Sequence, residues 1–277
     1  MYLKEMSRSD LLIVGTIGKG RCSNVYRAIN MKTGEKVAVK KCQNDERELM
    51  EREVRGNEVL CHRNIIQGRG WFKEEESYYM LFELAPLGDL WEYVYSQKEN
   101  LTEEKTKMIL TGVIQALAYM HSKNWIHRDI KMENVLLFNG LKGKLCDFEF
   151  AIDSSRENPT RRVGTREYMS PEILSCERSK VEYLDLKGIS GYTEQTDVWS
   201  IGVLVYECLH KETPFSGNDF NEIRRNIATK EITFDKSLSE QAKDFITACL
   251  QRDPQQRIKT KDMLKHEWFS KNVVCCL

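Results

Sequence analysis

A chain of 277 residues, 41% of them hydrophobic, is long enough for one large domain or two packed lobes around a sizeable core. Its 42 Lys and Arg balance 42 Asp and Glu, which leaves no global basic field to draw it to nucleic acid or to an anionic membrane. The nine Cys are irregularly spaced without a CxxC pair, MYLKEMSRSDLL is too polar for a secretory signal, and the longest apolar stretch, near 201–209, is broken by Glu207. These features predict free thiols in a reducing cytosol or nucleus, no transmembrane segment and no nucleic-acid partner.

In chain order, residues 11–18, 24–30 and 36–41 read as strands, with Lys32-Thr33-Gly34 as a hairpin turn. Residues 45–60 are charged but carry apolar side chains at helical spacing. Residues 71–72 and 78–84 read as two more strands, joined by the acidic turn 73–77. After Pro86-Leu87-Gly88 the pattern becomes helical. Residues 90–96 and 103–123 are amphipathic, and Thr102 with Glu103 and Glu104 forms an N-cap and acidic first turn for the second of them. Further helices are expected over 196–209, 218–229, 239–251 and 260–266.

Several strings carry chemistry. Gly18-Lys19-Gly20-Arg21-Cys22-Ser23-Asn24-Val25 is a glycine-rich turn whose backbone N–H groups can approach an anion closely. Lys40 ends the apolar run Val37-Ala38-Val39, where a charge at a strand's buried end needs partners. Residues 127–134 read HRDIKMEN, and Asp147-Phe148-Glu149 follows. Ser170-Pro171-Glu172, Asp197-Val198-Trp199-Ser200-Ile201-Gly202 and Asp253-Pro254-Gln255-Gln256-Arg257 complete the series.

In this order the strings resemble the signature set of the protein kinases: G-x-G-x-x-G-x-V, V-A-I-K, H-R-D-L-x-x-x-N, D-F-G and A-P-E. The resemblance runs over about residues 9–270. It implies an α+β, two-lobed kinase fold, with a small five-stranded β lobe carrying one main helix and a larger, mostly helical lobe. Residues 1–10 would be a short extension, about 11–83 the small lobe, about 84–88 the hinge, about 89–269 the large lobe and 270–277 a tail.

The resemblance also implies roles, with ATP and Mg²⁺ as cofactors and Mn²⁺ as a substitute metal. Asp129 would be the catalytic base, Lys131 would stabilise the transferring phosphoryl group, and Asn134 and Asp147 would bind metal. Lys40 would hold the α- and β-phosphates and pair with Glu53. That glutamate is picked from its acidic neighbours by aligning His62-Arg63-Asn64-Ile65-Ile66 on H-P-N-I-I. Ile17, Gly18, Lys19, Gly20 and Ser23 would cover the nucleotide. Val25, Ala38 and Leu136 would sandwich adenine, the backbone from Glu83 to Ala85 would hydrogen-bond it, and Phe82 would be the gatekeeper. Arg257 would pair with Glu172, and Arg128 with a phosphorylated loop.

Lys131, and Thr165 bridging Asp129 and Lys131, are similar to the serine/threonine class. ELAPLGDL at 83–90, His121-Ser122-Lys123, Arg161–Thr165 and the polar Asn57 resemble the Aurora-like kinases. Protein substrates with Ser or Thr acceptors follow as partners. Asp89 and Glu133 would favour basic motifs, and Arg224 and Arg225 oppose that preference. A monomer is expected, open to an activating partner protein.

The sequence departs from the kinase pattern at Glu149, where a glycine is usual. One reading is that Glu149 restricts the loop's switching but leaves Asp147 able to bind Mg²⁺. The other is a pseudokinase scaffold that binds nucleotide or partners without turnover. Thr160 is the first choice of activating phosphosite, ahead of Ser154, Ser155 and Thr165. Residues 174–191 form a longer link than usual and are expected to be a surface loop. Cys146 is a candidate for covalent modification. Cys275 and Cys276 do not form a C-a-a-X box, so a frayed tail is expected there ahead of lipidation.

Overall fold

The computed structural model describes residues 7–19, 23–43, 47–176 and 191–270. Gly20, most of the 174–191 link, and Cys275 and Cys276 lie outside the described residues. The small lobe is built from β1 (Leu11–Lys19), β2 (Ser23–Asn30), β3 (Lys36–Gln43), α1 (Arg47–Val59), β4 (Gly68–Glu74) and β5 (Ser77–Glu83). Its five strands lie in the order β1-β2-β3-β5-β4, all antiparallel. The expected turn is present: the Asn30 carboxamide oxygen accepts from the N–H of Lys32 and of Thr33, and Gly34 takes a φ of 72°. β4 is longer than the 71–72 expected. Gly68 and Gly70 weaken its strand signal, and a register shift lies between them.

Alternation along β3 decides what faces the cleft. Val37 and Val39 join Leu11, Ala28, Phe72, Tyr79 and Leu81 in a core on one face of the sheet. Ala38 and Lys40, one residue out of phase, fall on the other face.

The large lobe comprises α2 (Leu90–Ser96), α3 (Glu103–Ser122), β6 (Trp125–Ile126), β7 (Val135–Phe138), β8 (Lys142–Leu145), β9 (Ile152–Asp153), α4 (Pro171–Ser175), α5 (Gln195–His210), α6 (Phe220–Thr229), α7 (Glu240–Cys249) and α8 (Glu267–Ser270). The side chain of Asp89 caps α2 by accepting from Glu92 N–H at 2.8 Å, and Thr102 caps α3 through Lys105 N–H at 3.3 Å. α5 is buried on all sides from Gln195 to Leu209, which explains the long apolar run around Glu207. Residues 260–265 form a 3₁₀ helix instead of the α-helix expected. Only Thr260 and Met263 are buried in it, a spacing of three that suits three residues per turn. Among the described residues, no helix is long and apolar enough to cross a membrane.

Candidate active site

Lys40 is the centre of a buried charge cluster. Its ammonium lies 2.6 Å from Glu53 Oε2, 2.8 Å from Asp147 Oδ1 and 3.6 Å from Glu149 Oε2. α1 supplies Glu53, which is 2% exposed. Three carboxylates therefore face one lysine. Burial tends to neutralise the Lys40 amine, but the charges of Asp147, Glu53 and Glu149 outweigh it and hold the amine protonated well above its usual range. The carboxylates divide the benefit unevenly. Burial pushes Glu53 up to about 7 despite Lys40. Burial and then the Asp147 charge push Glu149 up. Burial opposes the ionisation of Asp147 too, but Lys40 overrides it and keeps that carboxyl below its usual range.

The residues 127–134 are held from below by α5. The Asp197 carboxylate, fully buried, accepts from the backbone N–H of His127 at 2.9 Å and of Arg128 at 2.8 Å, and His121 Nε2 sits 2.9 Å from it. These bonds fix Arg128 at φ 70°, a left-handed conformation unusual for a residue with a Cβ. Asp129 is thereby aimed and then locked. Its Oδ1 accepts from Thr165 N–H at 2.9 Å and from the Thr165 hydroxyl at 2.8 Å. Its Oδ2 accepts from Asn134 Nδ2 at 3.1 Å and lies 2.9 Å from Lys131 Nζ. Thr165 reaches Asp129 because Gly164 precedes it at φ 102°, where a Cβ would stand 2.5 Å from the Arg128 carbonyl oxygen.

Asp197 was visible in the sequence only as part of a helix-start string. Its position as organiser of residues 127 and 128 had one sequence signal, a charged residue opening a helix too apolar to solvate it.

Asp147 takes φ 66°, while Glu149 does not take a positive φ. The backbone at 149 thus suits any L-residue in this conformation, and the missing glycine costs no strain here. The residues present fit a hard divalent cation. Asp147 has one carboxylate oxygen outside its Lys40 contact, and Asn134 commits its amide nitrogen to Asp129, leaving its amide oxygen as the donor atom.

The cleft beside Lys40 is bounded by the strands. Val25 lies opposite Lys40, and Ala38 lies opposite Phe82. Leu136 bridges to Asp89 beneath. The segment after β5 is tied to β7, since Leu87 N–H donates to Leu137 O at 3.2 Å and Leu137 N–H to Gly88 O at 2.9 Å. Among the described residues no hydrogen bond engages the Ala85 backbone, whereas Glu83 N–H is already given to Gln67 O. Ile17, Gly18 and Lys19 end β1, and Ser23 opens β2.

Arg128 is 6% exposed and donates to Phe150 O at 2.6 Å and to the Tyr192 hydroxyl at 3.1 Å. Cys146 is half-buried, and burial, with Asp147 next to it, holds its thiol protonated well above the usual range. Arg257 and Glu172 do meet, in a two-pronged pair at 2.6 and 2.8 Å.

The protein kinase domain family model matches residues 12–269, and the chain belongs to the protein kinase family. Within it, the chain is similar to serine/threonine kinases and to the Aurora group in particular. It is 32% identical to an Aurora kinase of Dictyostelium discoideum over 97% of this chain and 68% of that protein. It is 30% identical to Aurora kinase A-A of Xenopus laevis over 97% of this chain and 64% of that protein. It is 29% identical to serine/threonine-protein kinase 33 of Mus musculus, over 93% of this chain and 54% of that one.

Proposed function

We propose that this chain is an active serine/threonine kinase that transfers the γ-phosphate of Mg-ATP to protein hydroxyls. One observation carries the reading: both oxygens of Asp129 are occupied by groups that aim it, Thr165 on one and Asn134 with Lys131 on the other. In this reading Asp129 orients the acceptor hydroxyl and takes its proton, while Lys131, 2.9 Å away, stabilises charge on the transferring group. Lys40, fixed by Glu53, holds the α- and β-phosphates. Val25, Ala38 and Leu136 enclose adenine, with the unengaged Ala85 backbone as its hydrogen-bonding edge. Asn134 and Asp147 hold Mg²⁺, or Mn²⁺ in its place. The metal, when bound, neutralises the phosphate oxygens.

Glu149 fits the active reading better than the scaffold reading, because its carboxylate is partnered by Lys40 and its backbone is unstrained. Substrates with basic residues suit the exposed Glu133, while Asp89 is also engaged as the α2 cap. Six described cysteines are free thiols, in keeping with a cytosolic or nuclear protein. The catalytic groups come from one chain, which suits a monomer. Thr160 is the proposed phosphosite. The test is phosphate transfer to a peptide pool by wild type and by D129N. Transfer should fall by about 10²–10⁴-fold in D129N. A wild-type protein that binds Mg-ATP and transfers nothing would establish the scaffold reading instead.

A further inference from the structure

Resting on that kinase reading, the geometry points to Glu157 as a positioning residue, whose carboxylate holds α1, and with it the Lys40–Glu53 pair, in place without a phosphate. Glu157 lies in the loop between Asp147 and Ser170, ten residues past the metal-binding aspartate. Arg52 on α1 grips it with both guanidinium nitrogens, NH1 to Oε2 at 2.8 Å and NH2 to Oε1 at 2.9 Å. A fork of this kind fixes direction as well as distance. Arg52 immediately precedes Glu53, so the clamp acts on the turn of α1 that carries the partner of Lys40.

The loop end of the clamp is itself anchored. Ile152 and Asp153 pair with Trp125 and Ile126 across β6 and β9. Ser154 N–H donates to Asn124 O at 2.8 Å, and Glu157 N–H donates to Asp153 O at 3.0 Å. Arg128, beside the catalytic Asp129, holds Phe150 O at 2.6 Å. Arg52 also reaches Glu48 Oε1 at 3.2 Å, yet the arginines around Glu157 favour its ionised form. Burial alone would raise its pKa, but Arg52, Arg128 and Arg161 together bring the carboxyl below its usual range. The arginines that would receive a loop phosphate are thus facing a carboxylate that the gene already encodes. Thr160, half-buried three residues on, makes no side-chain hydrogen bond among the described residues, and a phosphate there would add to the clamp instead of creating it.

The test uses the full chain, treated with phosphatase, as wild type, E157Q and the surface control E51Q. Glu51 pairs with Arg47 on the same helix, at 52% side-chain exposure. Phosphatase-treated wild type should keep its activity. E157Q should lose about tenfold in kcat with the peptide KM unchanged, as expected for loss of a charge-assisted pair that is partly screened. E51Q should match wild type. Rising salt should lower wild-type kcat toward the E157Q value and leave E157Q unmoved. Amide hydrogen exchange across Arg47–Val59 should rise in E157Q, a readout that needs no turnover. E157Q with wild-type kcat, or with unaltered exchange in α1, would overturn the inference, as would wild type silenced by phosphatase. An inactive wild type whose exchange responds to E157Q would sink the kinase reading and leave the clamp standing.

Discussion

At the scale of single residues, Glu149 changes the electrostatics of the cleft more than its geometry. It adds a third carboxylate to a site where one ammonium serves Glu53 and Asp147. The cost falls on Glu53, which burial pushes up to about 7, with Asp147 and Glu149 adding to the rise. At neutral pH Glu53 is therefore only partly ionised, and the Lys40–Glu53 pair gains charge as the pH rises. Replacing Glu149 with Gln removes one like charge, so the pKa of Glu53 should fall. The acidic limb of the kcat/KM profile should move to lower pH in E149Q, since that profile reports the free enzyme. An acidic limb that stays in place would show that Glu149 and Glu53 do not sense each other. The linked stability has the opposite sign. The folded state prefers protonated Glu53, so this group's contribution is full below about pH 4.5, its unfolded value, and is lost as pH rises through about 7.

Elements show where capping and recognition meet. Asp89 closes α2 with a bond to Glu92 N–H, and burial raises its pKa. Asp89→Ala should cost about 1 kcal/mol in a denaturant melt, whereas Asp89→Ser keeps a capping oxygen and should leave stability nearly unchanged. If Asp89 also receives a substrate arginine, Asp89→Ser should raise KM for basic peptides alone, and a KM that does not change would confine Asp89 to its cap. The legibility of the chain also differs by element. Lys40, Asp129, Asn134 and Asp147 could be read because each sits in a string whose spacing the chemistry fixes. β6 and β9 could not, since two-residue strands leave no alternation to detect. The Arg52–Glu157 clamp joins residues 105 apart in sequence, and no local pattern singles out one arginine of a charged helix.

At the scale of the whole molecule, Arg257 ties together segments that are far apart in the chain. Its guanidinium pairs with Glu172 of α4, donates to Gln195 O at the start of α5 and to Gln251 O after α7, and stacks over Trp199 at 5.2 Å. The side chain is completely buried. R257A should destabilise the fold by about 3–5 kcal/mol in chemical denaturation, because Glu172 loses its partner and the carbonyls of Gln195, Gln251 and Arg252 lose their donor. The double variant E172Q/R257M should recover part of that loss, since no orphaned charge remains. A single variant that melts like wild type would reduce the pair to packing alone.

Phe148 is fully buried beside the His127 ring, and α1 passes so close above it that a Cβ on Gly56 would stand 2.9 Å from Phe148 Cβ. This contact has a pharmacological consequence. A compound that occupies the space of Phe148 must lift α1 off the ring and draw Glu149 from Lys40 in the same movement. A compound that stays between Val25, Ala38 and Leu136 disturbs neither. Displacing Phe148 and keeping α1 seated therefore exclude one another, and Gly56 is the residue that couples the two.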